Sequence, residues 1–289
     1  MQKFGVDLSH HNGGINFNVL KNKGVEFAIL RAGYTGYGDG ISKAKDTQFE
    51  NFYNECKKYN IGVGAYWFSC ANTYDKGVAE ANYMYENCLK GKIFDYPIYI
   101  DVEDDTGGKY YLRNAGREKI TDGICGFCER LEQLGFYVGI YANLDWFKNF
   151  INNERVKRYD KWLAYWTGVK PNISLKYEMW QFGGEQNFIQ SALIDNQYVD
   201  QDYVYIDYPD IIKNGGFNGF TKQINDTPKN DESNNDFVLL DMVRKTIRGD
   251  FGNGEERKNT LGDKYDEVQK QVNLNLNNGL TKWEDIRLF

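Results

Sequence analysis

Asp101 and Glu103 close the apolar run Pro97-Ile98-Tyr99-Ile100, so two carboxylates stand two positions apart where a strand should end. On a β-strand that spacing sets both side chains on one face. Neighbouring carboxylates repel, and partial desolvation adds to the effect, so one of such a pair is held protonated near neutral pH while the other ionises. That is the equipment of general acid–base chemistry. A buried, unpaired carboxylate is costly, so a strand ending in two acids should open onto a polar, wet or ligand-filled site. Two solvated loop acids have the same pattern, and the spacing alone does not separate the readings.

The elements that must position the pair are legible as apolar runs at Phe4–Leu8, Val25–Leu30, Ile61–Phe68, Pro97–Val102, Phe136–Tyr141, Trp162–Trp166 and Tyr177–Phe182. The unbroken apolar character of Pro97–Ile100 suits a strand buried on both faces of a parallel sheet. Helical periodicity separates the earlier runs, at Asp46–Tyr59, Asp75–Leu89 and Arg113–Leu134. Strand alternating with helix predicts a parallel α/β sheet. From about Trp162 the runs follow one another too closely for a helix each. The expected fold is therefore an irregular barrel with helices on its first half and short connections on its second. In such barrels the site gathers at the C-terminal strand ends. Asp7 ends the first strand, Asp101 and Glu103 the fourth, and Asp200 a late one in Tyr198-Val199-Asp200.

Composition removes several other functions. The 289 residues carry a net charge of −6 with no Lys/Arg-rich run, which argues against binding nucleic acid or an anionic membrane by charge. No run is long enough to insert in a membrane. Met1-Gln2-Lys3 leads directly into Phe4-Gly5-Val6-Asp7, so no signal peptide is expected. Synthesis in a reducing cytoplasm is expected, with five cysteines, an odd number, in a chain too large to need disulfide staples. Cys125-Gly126-Phe127-Cys128 has redox-motif spacing but lies inside a helical pattern, so both thiols read as inert. His10 and His11 are the only imidazoles, and neither a metal nor a cofactor is expected.

After Tyr208 the texture turns to glycine and asparagine, and Thr227-Pro228-Lys229-Asn230-Asp231-Glu232-Ser233-Asn234-Asn235 reads as a flexible linker. Helical periodicity resumes with Leu239, Leu240, Met242, Val243 and Ile247, then with Tyr265, Val268 and Val272. The predicted organisation is a barrel over 1–207, an exit segment and linker over 208–235, an all-α module of two helices over 236–277, and a tail over 278–289.

Four converging acids without a nucleophile triad point first to glycoside hydrolysis. Aromatic residues near the strand ends, Tyr34, Tyr66, Trp67, Tyr141, Trp166 and Trp180, suit walls on which sugar rings stack, though core packing explains any one of them equally well.

The first 207 residues resemble the glycoside hydrolase family 25 lysozymes, the Chalaropsis-type N-acetylmuramidases. The resemblance rests on Gly5-Val6-Asp7-Leu8-Ser9 with Asn12-Gly13, Leu30-Arg31-Ala32-Gly33-Tyr34 and Gly62-Val63-Gly64-Ala65-Tyr66-Trp67-Phe68. It continues through Asp101-Val102-Glu103, Gly139-Ile140-Tyr141-Ala142-Asn143, Trp162-Leu163-Ala164-Tyr165, Trp180-Gln181-Phe182 and Val199-Asp200. It implies a (β/α)5β3 barrel that cleaves the β-1,4 bond between N-acetylmuramic acid and N-acetylglucosamine in bacterial peptidoglycan. Carried over by position, Glu103 is the general acid and Asp101 serves the substrate's N-acetyl group, with Asp7 and Asp200 completing the acidic floor. Asp202 falls where the family usually has Asn. Tyr34, Tyr66, Trp67, Tyr141, Asn143, Tyr165, Trp180 and Gln181 are the expected substrate contacts, although Trp67 stands where the family often carries His. Direct retention, inversion and attack by the acetamido group all remain open. The shared direction of side chains two apart favours the last.

The C-terminal residues Met242-Val243-Arg244, the stretch from Gly249 to Lys258 and the stretch from Tyr265 to Asn273 are similar to the Cpl-7-type cell-wall-binding repeat, with Phe251 in place of the usual Trp. That resemblance implies Asp250, Asn253 and Arg257 as muropeptide contacts, with an intra-module salt bridge of Arg257 as the other reading. The combined expectation is a phage endolysin-like enzyme, made in the host cytoplasm and acting on the wall after release. An inactive carbohydrate-binding barrel and a chitin-directed hydrolase are the alternatives.

Overall fold

A computed structural model of the chain describes residues 2–36, 40–104, 111–167, 169–184, 193–222, 232–281 and 285–289. It divides into two compact units, Met1–Ile224 and Asn225–Phe289. In the first, the strands are β1 (Lys3–Leu8), β2 (Phe27–Thr35), β3 (Lys43–Lys45), β4 (Gly62–Phe68), β5 (Ile98–Asp101), β6 (Val138–Asn143), β7 (Asp160–Ala164), β8 (Met179–Gly183), the short hairpin β9 (Leu193–Ile194) and β10 (Gln197–Tyr198), and β11 (Asp200–Val204). Helices α1 (Phe17–Asn22), α2 (Phe49–Lys58), α3 (Tyr74–Met84) and α4 (Arg117–Gln133) follow β1, β3, β4 and β5. A single wide turn of π-helix, Trp146–Phe150, stands in the fifth helical position.

The sheet runs β1-β11-β8-β7-β6-β5-β4-β2 and closes through a parallel pairing of β1 with β2, making an eight-stranded barrel. β11 is antiparallel to both of its neighbours, while the other barrel pairings are parallel. This is the irregular barrel expected from the spacing. Helices cover the first five strands, and the last three are joined by short connections.

Strand alternation divides the core into two layers. Val63, Ala65 and Trp67 of β4 and Ile98 and Ile100 of β5 face the helices. Phe27, Ile29, Tyr99, Trp162, Met179 and Val204 fill the barrel. So many rings fit only where a facing strand gives way. A Cβ on Gly5 would lie 2.4 Å from the Phe27 ring, and one on Gly139 would lie 2.5 Å from the Tyr99 ring.

Residues 208–222 belong to the barrel. In α5 (Tyr208–Gly215), Tyr208 and Ile212 are fully buried in the inner cluster and close the end of the barrel opposite the acids. Asn218 then ties the chain back, donating to the Tyr96 carbonyl at 2.9 Å and accepting from the Tyr137 N–H at 2.8 Å.

Among its described residues the second unit has three α-helices where two were expected: α6 (Glu232–Arg248), α7 (Glu255–Leu261) and α8 (Tyr265–Asn277). Left-handed glycines at 254 and 262 bracket the short α7 and explain why it escaped the periodicity. Val243, Leu261, Val268, Val272 and Ile286 form the core. The stretch read as a tail is thus partly structural. Ile286 is buried, and Asn275 pairs with the backbone of Arg287 at 2.7 and 3.0 Å.

Candidate active site

The acids meet at the mouth of the barrel. Asp7 lies on β1, Asp101 is the last residue of β5, and Glu103 follows two positions on, an α-carbon spacing of roughly 6–7 Å for extended chain. Asp200 corrects the sequence reading: it begins β11 instead of ending a strand. Because β11 is antiparallel to β1, its first residue falls opposite Asp7, and the reversed direction still delivers the carboxylate to the same mouth. Asp7, Asp101, Glu103 and Asp200 all act electrostatically on the phenol of Tyr141.

Burial dominates their protonation. It pushes the carboxyls of Asp7 and Asp101 well above the usual carboxylate range; the charge of Asp202 then adds most for Asp7, and that of Glu103 for Asp101. Opposing this, Gln181 Nε2 donates to Asp7 Oδ2 at 2.8 Å, and the Arg31 guanidinium acts on Asp101. The Asp101 side chain has its Oδ1 sealed from solvent with no hydrogen-bond partner among the described residues. Asp202 is fully buried beneath the mouth, where Trp162 Nε1 donates to its Oδ1 at 2.7 Å. Asp200, by contrast, is half-buried.

Tyr66, Tyr141 and Gln181 surround the acids. Tyr141 Oη donates to Gln181 Oε1 at 2.8 Å, and Trp166 Nε1 reaches the same oxygen at 3.0 Å. Gln181 therefore relays two donors to Asp7. Burial holds the Tyr66 and Tyr141 phenols far above their usual range, so both remain protonated donors. Beneath them lies Trp162, whose ring is 4.5 Å from Tyr141 and 6.0 Å from Tyr66, centroid to centroid. Tyr34 is half-buried, its ring 5.6 Å from the Arg31 guanidinium carbon. Asn143 is exposed at the end of β6, and its Oδ1 accepts from the Trp146 N–H at 3.0 Å.

Three expected sugar contacts lie elsewhere. Trp67 is completely buried between sheet and helices, its Nε1 donating to Thr35 Oγ1 at 3.1 Å. Trp180 faces outward on β8 among Phe182 and Tyr203, and its Nε1 is taken by the Tyr165 carbonyl at 2.7 Å. Tyr165 packs against the outer layer. In each case the residue is on the wrong side of the strand alternation. Trp162 and Arg31 were not among the expected contacts. A lone arginine directly after the run Val25–Leu30 was the signal for the second.

Among the described residues no group of three or more His, Cys, Asp or Glu side chains is arranged to hold a metal ion. Cys125 and Cys128 are free, buried thiols of α4, and burial pushes Cys125 up to about 11 and Cys128 well above its ordinary value.

In the second unit the three expected muropeptide contacts are engaged internally. Arg257 donates to the Gly252 carbonyl at 3.1 Å, to Gln269 Oε1 at 3.0 Å and to Asn253 Oδ1 at 3.0 Å. Asp250 accepts from Arg248 Nε at 2.8 Å. Arg257 is thus held inside the module by neutral acceptors, where the expected alternative was a salt bridge.

Fold and site together define a (β/α) barrel of the carboxylate-lined kind. The chain belongs to the glycosyl hydrolases family 25, whose model matches residues 6–190, and a CW_7 repeat matches residues 241–276. Over 178 residues it is 26% identical to the autolytic lysozyme of Clostridium acetobutylicum, covering 62% of this chain and 49% of that protein. It thus spans about half the length of that relative. The solved CTP1L endolysin is 25% identical with a TM-score of 0.57, covering 73% of this chain and 69% of the other. A family 25 glycosyl hydrolase from Bacillus anthracis shares the fold with a TM-score of 0.57 at 23% identity, over 76% of this chain and 93% of its own.

Proposed function

We propose that the chain is a lysozyme that hydrolyses the β-1,4 bond between N-acetylmuramic acid and N-acetylglucosamine in bacterial peptidoglycan, in the manner of a phage endolysin. Glu103 gives its proton to the leaving glycosidic oxygen. As that bond breaks, the acetamido oxygen of the substrate bonds to the anomeric carbon, and Asp101 accepts the acetamido N–H to orient it. Water then displaces the acetamido oxygen from the same carbon, re-forming the free acetamido group, and returns a proton to Glu103. Asp7, Asp200 and the Tyr141–Gln181 relay shape the floor, and the Trp162 ring supports it. In this reading the CW_7 module holds the enzyme at the wall.

The observation that carries the reading is Asp101 Oδ1. It is a buried carboxyl oxygen with unspent hydrogen-bonding capacity, on the same strand end as Glu103 and two residues away. A buried polar atom without a partner costs about 1–3 kcal/mol, which an amide N–H of a bound sugar offsets. The test is digestion of purified walls, borohydride reduction and mass spectrometry of the fragments. New reducing ends on muramic acid are expected. Ends on N-acetylglucosamine, or no cleavage at all, would overturn the proposal. Efficient cleavage of an N-acetylglucosamine polymer would favour the chitin-directed reading.

A further inference from the structure

The strand that delivers Asp200 to the mouth continues outward into the β9–β10 hairpin. Followed back by twos, Val204 fills the barrel, Asp202 is fully buried beneath the mouth, Asp200 is half-buried in the acidic floor, and Tyr198 of β10 is 44% exposed. Side chains two apart on extended chain share a face. The residues between them keep to the other side: Val199 is fully buried in the outer cluster, and Tyr203 packs on Phe4 and Phe182. Tyr198 therefore stands on the face that presents Asp200, its α-carbon roughly 6–7 Å further out.

The hairpin that carries Tyr198 is braced. Asp195 and Asn196 both take positive φ, 55° and 61°, the two-residue turn whose twist matches that of paired antiparallel strands. Ile194, 4% exposed, anchors the hairpin in the outer cluster. Asn12 Nδ2 donates to the Tyr198 carbonyl at 3.2 Å and the Asn16 N–H to Asp195 Oδ2 at 2.8 Å, seating the hairpin on the segment that follows β1. Leu193 is the cross-strand partner of Tyr198 and is 48% exposed, so the two side chains stand side by side on the open face. A single exposed apolar residue needs no explanation. A ring beside a leucine, on a braced hairpin and in line with the acids, makes a flat apolar step at the rim of the mouth.

We propose that Leu193 and Tyr198 form a further glycan subsite, in which the Tyr198 ring stacks on a sugar beyond the two that flank the cleaved bond. The occupant is the continuing polysaccharide of the proposed substrate, so the inference rests on the reading above. A pyranose presents a flat C–H face that packs on an aromatic ring while its hydroxyls stay in water, and the tyrosine hydroxyl stays there with them. Tyrosine also has few rotatable bonds to freeze on binding. The step lies outside the reacting centre and touches no reacting atom. It binds ground state and transition state alike, and so acts on KM and not on kcat.

The test is steady-state kinetics of the full chain on peptide-free glycan fragments of graded length, for the wild type, Tyr198→Ala, Tyr198→Trp and Leu193→Ser. Tyr198→Ala should raise KM for long fragments about threefold to tenfold at unchanged kcat, and leave KM for the shortest cleaved fragment in place. Leu193→Ser should act in the same direction more weakly, and Tyr198→Trp should keep the wild-type dependence on length. Both positions are exposed, so the urea midpoints should not move. A KM unmoved for long fragments, or raised equally for short and long ones, would overturn the proposal. The same comparison read as dissociation constants in the Glu103→Gln background needs no turnover. Failure of the wild type to cleave would thus sink the lysozyme reading, while the length dependence of binding still decides the subsite.

Discussion

Asp7 and Asp200 are directly opposed across the antiparallel pairing of β1 with β11, the first and last strands of the barrel. Two acids from the extremes of the first unit thereby share one floor. The consequences of this arrangement for chemistry and stability can be measured separately.

Glu103→Gln keeps the shape of the side chain and removes its proton. Turnover of purified walls should fall by about two to four orders of magnitude, the usual worth of a general acid. Far-ultraviolet circular dichroism and the denaturation midpoint should stay at wild-type values. Wall solubilisation at near wild-type rate would assign the proton to another group.

Trp67→Phe and Tyr141→Phe should separate the two faces of the sheet. Trp67 lies in the outer layer with its N–H on Thr35, so shortening it should cost roughly 1–3 kcal/mol of stability and leave KM unchanged. Tyr141→Phe removes a donor to Gln181 and so disturbs the relay to Asp7. It should lower kcat/KM more than stability. The reverse ranking in urea titrations and kinetics would exchange the two assignments.

Gly139→Ala tests the filling of the barrel. Its new methyl would meet the Tyr99 ring at 2.5 Å and the Asp160 carbonyl oxygen at 3.0 Å. Overpacking of this kind costs about 1–3 kcal/mol. The urea midpoint should fall with the slope unchanged, and an unaltered midpoint would mean that the rings have room to shift.

Glu80 gives the fold a pH dependence independent of the site. It is buried on α3, accepting from Ser69 Oγ at 2.5 Å and from the Cys70 N–H at 3.0 Å, and burial raises its carboxyl from 4.5 to about 7. The folded state therefore holds this proton more tightly than the unfolded state. The associated stability is fully present below pH 4.5 and is lost as pH rises through about 7, a difference of about 3 kcal/mol. Glu80→Gln, which is neutral throughout, should flatten the fall in denaturation free energy across that window. An unchanged slope would place the titration elsewhere.

The two units predict two different truncations. A chain ending at residue 224 should keep its barrel and lose more rate on whole cells than on soluble fragments, because tethering raises the effective concentration at the wall. A chain ending at 207 loses Tyr208 and Ile212 from the inner core and should unfold at lower denaturant. Equal losses on both substrates for the longer form would contradict a targeting role.

The acids and most strands were legible in the sequence because a charged pair ending an apolar run is conspicuous. The facing of aromatic side chains was not. Tyr66 and Trp67 are adjacent, so only one can enter the barrel, and an apolar run buried on both faces gives no polar alternation to decide which. Glycine supplied a subtler cue: Gly62 and Gly64 stand at the same parity as Tyr66, where an inner ring needs space. The direction of β11 was hidden because a two-residue hairpin strand precedes it, and nothing local in Asp200–Val204 distinguishes an antiparallel strand from a parallel one.

Closure through β1 and β11 also sets an order of events during synthesis. Val204 pairs in register with Lys3, so the barrel cannot be completed until nearly all of the first unit has left the ribosome. Contacts of such long sequence separation are the slow ones to form. Until they do, Asp7 has neither Asp200 across from it nor the Gln181 bond that places it. A growing chain is therefore without its acidic floor, and the candidate site is assembled late, as one step, when the last strand docks on the first.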